Sequence, residues 1–213
     1  MKYYPVYLDL RKRPCVVVGG GRVAERKALT LLEAGAGVTL VSPALTPKLM
    51  HLAASGKILH VAQPFQEHHL DGSFLAIAAT NDDEVNRLVA QLCRKKGLLV
   101  NVASPPEESS FIVPSVVERG DLLLAVSTSG ASPALSRSIR RELEKQYGPE
   151  YGLLLVRLAA LRKRLREEVG DEGERRRILE ELIASDVLGL LKQGKLHEAD
   201  HRISEIARLE KRS

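Results

Sequence analysis

Val16-Val17-Val18-Gly19-Gly20-Gly21-Arg22-Val23-Ala24 is the stretch that decides how this chain is read. A run of β-branched residues stops at three glycines, and a helical pattern begins at once. Gly19, Gly21 and Ala24 fall on the G-x-G-x-x-G/A spacing. The first glycine permits a tight turn, and the second lets a pyrophosphate approach the backbone. The small third residue lets helix and strand pack closely. The start of the helix offers unpaired N–H groups and a partial positive charge to phosphates. The same spacing also suits a glycine-rich turn in some other α/β protein. Its place after a hydrophobic strand and before an amphipathic helix favours a dinucleotide.

Working outward, strands are expected at Cys15 to Val18, Val38 to Val41, Ile58 to Val61, Phe74 to Ala79 and Leu98 to Val102. Helices are expected at Arg22 to Ala34, Thr46 to Ser55 and from Thr80-Asn81-Asp82 to about Lys96. Ala28, Leu29 and Leu32 are read as the apolar stripe of the first helix, ended by Gly35. This alternation argues a parallel, doubly wound sheet, with ligands beyond the carboxyl ends of the strands. That places Gly19 to Val23, Ser42-Pro43, Ala79 to Asn81 and Val102 to Ser104 around one crevice. The pattern changes at Pro105-Pro106. Phe111 to Val113 and Leu122 to Val126 read as further strands. A small-residue loop, Ser127 to Ser132, then leads into a helix from Pro133 that carries Arg137, Arg140, Arg141 and Lys145. From Tyr151 the chain reads as helical.

The 213 residues suffice for one large domain or two small ones, and 44% of them are hydrophobic. Aromatics are 4% with no Trp, which argues against reading bases by stacking. The net charge of +5 suits an anionic ligand and is too modest to imply nucleic acid. Cys15 and Cys93 do not form a C-x-x-C pair, so a reducing compartment is expected. No stretch nears the roughly 18 apolar residues of a membrane span, and no apolar leader precedes Pro5. A soluble cytoplasmic protein is the expectation, without a nucleic-acid or membrane partner.

A typical NAD site has an acid about 20 residues beyond the glycines, bonded to the ribose. Here the second strand ends Leu40-Val41-Ser42-Pro43, and Ser42 is the candidate for that hydroxyl. No Arg stands beside it for a 2′-phosphate, so NADP is not favoured.

Several blocks in order carry a resemblance. They are Pro5-Val6-Tyr7-Leu8-Asp9-Leu10, Val17 to Ala28, Ala76-Ile77-Ala78-Ala79-Thr80-Asn81-Asp82, Asn101-Val102, Ser110 to Ser115 and Ala125 to Pro133. With these the chain resembles the precorrin-2 dehydrogenase and sirohydrochlorin ferrochelatase family, including the N-terminal half of bacterial siroheme synthase. That family also lacks the ribose acid. The resemblance implies an α/β protein in three parts: an NAD-binding Rossmann domain (1–113), a small α+β dimerisation and substrate-loop region (114–150), and a C-terminal helical domain (151–213). It implies a homodimer that oxidises precorrin-2 to sirohydrochlorin with NAD. Some members also insert ferrous iron as a substrate, which needs no permanent metal cage. Gly19, Gly20, Gly21, Arg22, Val23, Ser42, Pro43, Ala79, Thr80, Asn81 and Val102 are the expected cofactor contacts.

Ser104, Glu107 and Thr128 are the expected catalytic positions. Ser104 stands where the family has an Asp proposed as base, and a Ser hydroxyl is a poor base at neutral pH. Either Glu107 or Glu108 reaches back, or the base is dispensable, or one activity is lost. Thr128 stands where the family has a serine in the substrate loop; the other reading is a simple loop hydroxyl. Two other function classes stay open. One is a non-enzymatic NADH-sensing regulator, against which the lack of a recognition-helix pattern counts. The other is an NAD enzyme for a different anionic substrate, which Ser104 would permit. His197-Glu198-Ala199-Asp200-His201 matches H-E-x-x-H, but the chain has no Gly at 204 or His at 207, so a surface helix is expected. His68-His69 read as exposed loop residues, and Arg162-Lys163-Arg164 with Arg166 as a solvated helix face.

Overall fold

The computed structural model describes residues 2–207, so residues 208–213 of the expected helical domain lie outside it. The described chain divides into two compact units, with the boundary between Val113 and Pro114.

The first unit is a five-stranded parallel sheet in the order β3-β2-β1-β4-β5. Its strands are β1 (Pro14–Val18), β2 (Gly37–Val41), β3 (Leu59–Val61), β4 (Leu75–Ala78) and β5 (Leu99–Val102). The helices are α1 (Arg22–Glu33), α2 (Pro47–Ala54) and α3 (Asp83–Lys96). The order reverses at β1, whose Val18 pairs with Val41 on one side and Ala78 on the other. Every residue of β4 is buried, as a strand covered on both faces requires. One face of the sheet, with Val17, Leu40 and Ile77, packs on α1 and α2. The other, with Val16, Val18, Ala76, Ala78 and Val100, packs on Val89, Ala90 and Cys93 of α3. The buried stripe of α1 is Ala24, Ala28 and Leu31, while Leu29 and Leu32 are only half-buried at its margin. Two small residues in that stripe let the helix lie close to β1.

Phe111 to Val113 do not form a strand. The carbonyl of Phe111 accepts from the Asn101 side chain, and Pro114 follows without an N–H to donate. The strand lies further on, as β6 (Ser115–Arg119), antiparallel to β7 (Leu122–Val126). Gly120, at φ 61°, takes the first central place of their two-residue turn, where the left-handed region is needed. Arg119 donates to the carbonyls of Tyr147 and Glu144, closing the end of α4 (Pro133–Gln146). Ser132 caps α4 through a bond from the Leu135 N–H, with Pro133 at the first helical position. The other helices are α5 (Glu150–Glu168), α6 (Glu172–Ala184), α7 (Val187–Lys192) and α8 (Leu196–Ala207). Leu154, Leu161, Leu165, Ile178, Leu182, Val187, Leu191 and Ile203 form their shared core. Each such buried aliphatic side chain contributes about 1.5–3 kcal/mol over exposure. His197 and His201 lie on the exposed face of α8, and Arg162, Lys163, Arg164 and Arg166 on that of α5.

Candidate functional site

The four segments expected around one crevice meet at the carboxyl edge of the first sheet, held by backbone contacts. The Gly19 N–H donates to the Val41 carbonyl at 2.9 Å. At φ 118°, Gly19 sits so close to β4 that an added Cβ would lie 2.4 Å from the Ala79 carbonyl oxygen. Gly20 faces the turn after β2: its carbonyl accepts from the Thr46 N–H at 3.0 Å. A Cβ on Gly20 would meet the Ala44 carbonyl oxygen at 1.9 Å. Gly21 differs, because a Cβ there would meet nothing within 4 Å. Gly19 and Gly20 are therefore needed by the protein's own backbone, and Gly21 leaves open space at the start of α1. Gly21 caps α1 with no side-chain bond to the first turn, so nothing of its own covers the amide end of the helix. Arg22 and Val23 follow as exposed residues. The helix end thus fits a phosphate group.

Ser42 is 8% exposed, and its hydroxyl donates to the Ala44 carbonyl at 2.8 Å. The hydroxyl keeps lone pairs for a ribose O–H. The Ser42 carbonyl is 2.9 Å from His60 Nε2, and Pro43 is exposed. Two connections missed in the sequence brace this corner. The Thr46 hydroxyl caps α2 and donates to Glu25 Oε2 at 2.5 Å, so the first turn of α1 is bonded to the start of α2. Neither residue carried a periodicity signal, since the bond joins two helix ends brought together by the sheet.

Ala79 is buried, and its N–H continues the ladder to the Val18 carbonyl at 2.8 Å. Thr80 accepts from the Asp82 N–H through its hydroxyl at 3.1 Å, while Asp82 caps α3 through the Glu84 and Val85 N–H groups. Asn81 is exposed beside them, and Val102 is buried under the edge. Ser104 is exposed, with its carbonyl accepting from Asn86 Nδ2 at 2.8 Å. Asn86 was also missed in the sequence. The available signal was a polar residue on the buried stripe that continues through Val89, Ala90 and Cys93.

Glu108 is held away, its carboxylate and carbonyl both bonded to Arg94. Glu107 is exposed and forms no ion pair among the described residues. Lys27 donates to Asn101 Oδ1 at 2.8 Å, and burial, with repulsion from Arg26, holds its pKa below the usual lysine range. Cys15 and Cys93 are free thiols whose pKa burial pushes up to about 11, which makes them inert.

In the second unit, the Thr128 hydroxyl bonds the Ser132 carbonyl and N–H, each at 3.0 Å. The Ser127 hydroxyl accepts from the Ser129 N–H. The loop is therefore folded by its own hydroxyls, and Thr128 has that structural role whatever else it touches. Among the described residues no group of three or more His, Cys, Asp or Glu is placed to hold a metal ion. None of their helices is long and apolar enough to cross a membrane.

Comparison with known proteins finds matches over most of the chain. Residues 6–115 match the family model described as putative NAD(P)-binding. Residues 119–146 match the central region of sirohaem biosynthesis proteins, and residues 150–206 the sirohaem synthase dimerisation region. Siroheme synthase 1 of Aeromonas salmonicida (strain A449) is 43% identical over 189 residues, covering 89% of this chain and 40% of that protein. The siroheme synthase of Methylobacillus flagellatus is 42% identical over 207 residues, covering 97% of this chain and 44% of its own length. The chain thus spans less than half the length of these curated relatives. A solved structure titled SirC, precorrin-2 dehydrogenase, matches with a TM-score of 0.80 and 30% identity, covering 95% of this chain and 100% of that one.

Proposed function

Because the chain belongs to the precorrin-2 dehydrogenase and sirohydrochlorin ferrochelatase family, we propose that it oxidises precorrin-2 to sirohydrochlorin with NAD, in siroheme biosynthesis. The observation that carries the reading is the contrast among the three glycines: two are filled by the protein's own backbone, and Gly21 opens onto the uncovered end of α1.

NAD supplies the hydride acceptor when bound. Gly19, Gly20 and Gly21, with the N–H groups of Arg22 and Val23, take the pyrophosphate. Ser42 and Pro43 take the adenine ribose, and Ala79, Thr80, Asn81 and Val102 line the nicotinamide side. The substrate loses a hydride and a proton, so a group must receive the proton. Ser104 stands at the edge of the sheet without the charge of a base. Glu107, exposed and free of an ion pair among the described residues, is the carboxylate assigned to that role; Glu108 is held by Arg94. Thr128 orders the small-residue loop of the second unit. Arg137 and Arg141 are exposed and without ion pairs among the described residues, which suits a substrate rich in carboxylates. In this reading the protein is a cytoplasmic homodimer, supported by the match to a dimerisation region over 150–206 and by two buried reduced thiols. Residues 114–150 belong to the same proposed contact.

The test is turnover. Purified protein with precorrin-2 and NAD yields NADH and the sirohydrochlorin spectrum; folded protein that yields neither overturns the proposal. A Gly21→Asp variant places bulk and charge in open space, so it stays folded and loses NADH binding by at least tenfold. Unchanged affinity would show that the pyrophosphate lies elsewhere.

A further inference from the structure

Asn86 is 0% exposed, on the face of α3 that otherwise presents apolar side chains to the sheet. Its Oδ1 accepts from the Thr80 N–H at 3.1 Å and lies 2.9 Å from the Thr80 hydroxyl. Its Nδ2 donates to the Thr80 carbonyl at 3.2 Å and to the Ser104 carbonyl at 2.8 Å. The hydrogen-bonding capacity of the amide is thereby used in full. None of these bonds serves α3 or the core. They join two loops, one leaving β4 and one leaving β5. Packing alone would be met by an apolar residue, as it is at Val89 and Ala90. An amide buried here loses its hydration, and only the bonds to the two loops offset that loss.

We propose that Asn86 is a positioning residue for the hydride-transfer reaction, fixing the Thr80 and Ser104 loops at one spacing. The inference rests on the reading above, in which Thr80 belongs to the coenzyme side and Ser104 to the substrate side. Reacting groups must be held at near-attack distance, and a misplacement of about 1 Å costs on the order of 100-fold in rate. A single rigid amide bonded to both loops supplies that constraint from behind the site, without touching either reactant.

Asn86→Asp in the full chain tests it. The carboxylate keeps the acceptor for the Thr80 N–H and loses both donors, which releases the Ser104 carbonyl. The expected result is a kcat at least tenfold lower with precorrin-2 and NAD, a KM for NAD changed less than threefold, and a folded circular dichroism spectrum. A packing role alone leaves kcat per folded molecule unchanged, so a folded variant within twofold of the parent in kcat overturns the proposal. If Asn86→Asp does not fold, Asn86→Ser keeps a small polar side chain at the same place and gives up the bond to the Ser104 carbonyl. It is expected to lower kcat at least threefold, and an unchanged kcat overturns the proposal. A parent protein that binds NADH without oxidising precorrin-2 overturns the reaction and not the clamp. Hydrogen exchange of the Thr80 amide then decides: Asn86→Ala speeds it at least tenfold if the clamp holds and less than twofold if it does not. A parent that binds no NADH overturns both.

Discussion

Lys27 carries its charge where the surroundings resist it. Its ammonium donates to the buried Asn101, and no carboxylate lies within ion-pair distance among the described residues. Burial, and then the charge of Arg26, lower its pKa below the ordinary 10.5. Protonation is therefore less favoured in the folded chain than in the unfolded one. Between the lowered value and the ordinary one, the unfolded chain binds more protons, so this residue's contribution to stability rises with pH. Urea unfolding of the parent and of Lys27→Met, from about pH 8 to about pH 10.5, reads this difference. The stability of the parent relative to the variant is expected to grow across that interval. A flat or falling difference would show that Lys27 is as well solvated as a surface lysine. Single residues also show what sequence could not convey. The glycine spacing pointed to Gly19 and Gly21 because a strand, a turn and a helix contiguous in the chain carry it. Asn86, Lys27 and Glu25 owe their roles to partners 18, 74 and 21 residues away, which only the completed sheet brings near.

At the scale of elements, the outer edge of β5 is closed by side chains. The Val100 N–H donates to the Ser110 hydroxyl and the Val102 N–H to the Ser109 hydroxyl, each at 2.8 Å. An open edge strand invites pairing with another chain; here two serines occupy the donors of the strand. They also return the loop that bears Ser104 and Glu107 to the sheet, with the Ser110 N–H on the Val100 carbonyl. Ser110→Ala removes an acceptor from a buried N–H and is expected to cost about 1–3 kcal/mol. Hydrogen exchange of the Val100 amide should speed up, while amides in β1 and β4 keep their rates. Equal acceleration throughout the sheet would mean that the edge bond is not a local lock. The same serines explain a misread element. Phe111 to Val113 have strand composition, but the chain reaches them already bonded to β5 through hydroxyls and Asn101, and no strand among the described residues pairs with them. β6 was hidden for the opposite reason: Ser115-Val116-Val117-Glu118-Arg119 is half polar and buries only Val117, although Gly120-Asp121 suits a two-residue hairpin turn. The six-residue α7 is too short for helical periodicity to register. The alternation of strands and helices in residues 14–102 was legible because each element there buries an apolar face of the expected period.

For the whole molecule, the division at Val113 and Pro114 separates two cores with different jobs. Every residue assigned to the coenzyme, from Gly19 to Val102, lies in the first unit, which has its own sheet and core. A unit of this size buries enough surface to fold alone. The fragment 1–113 is therefore expected to bind NADH within threefold of the full chain, measured by coenzyme fluorescence. A ligand that binds only the folded form stabilises it by about 2.7 kcal/mol at 100 times its Kd. Saturating NADH should accordingly raise the melting temperature of the fragment. In the full chain, hydrogen exchange should slow in β1, β4 and the start of α1 and stay unchanged in the core of α5 to α8. A folded fragment that binds NADH more than tenfold more weakly than the full chain would show that the second unit supplies coenzyme contacts. The boundary in the chain would then not be the boundary of the site, and Thr128, held in its own loop by Ser132, would be the first residue to test for that contribution.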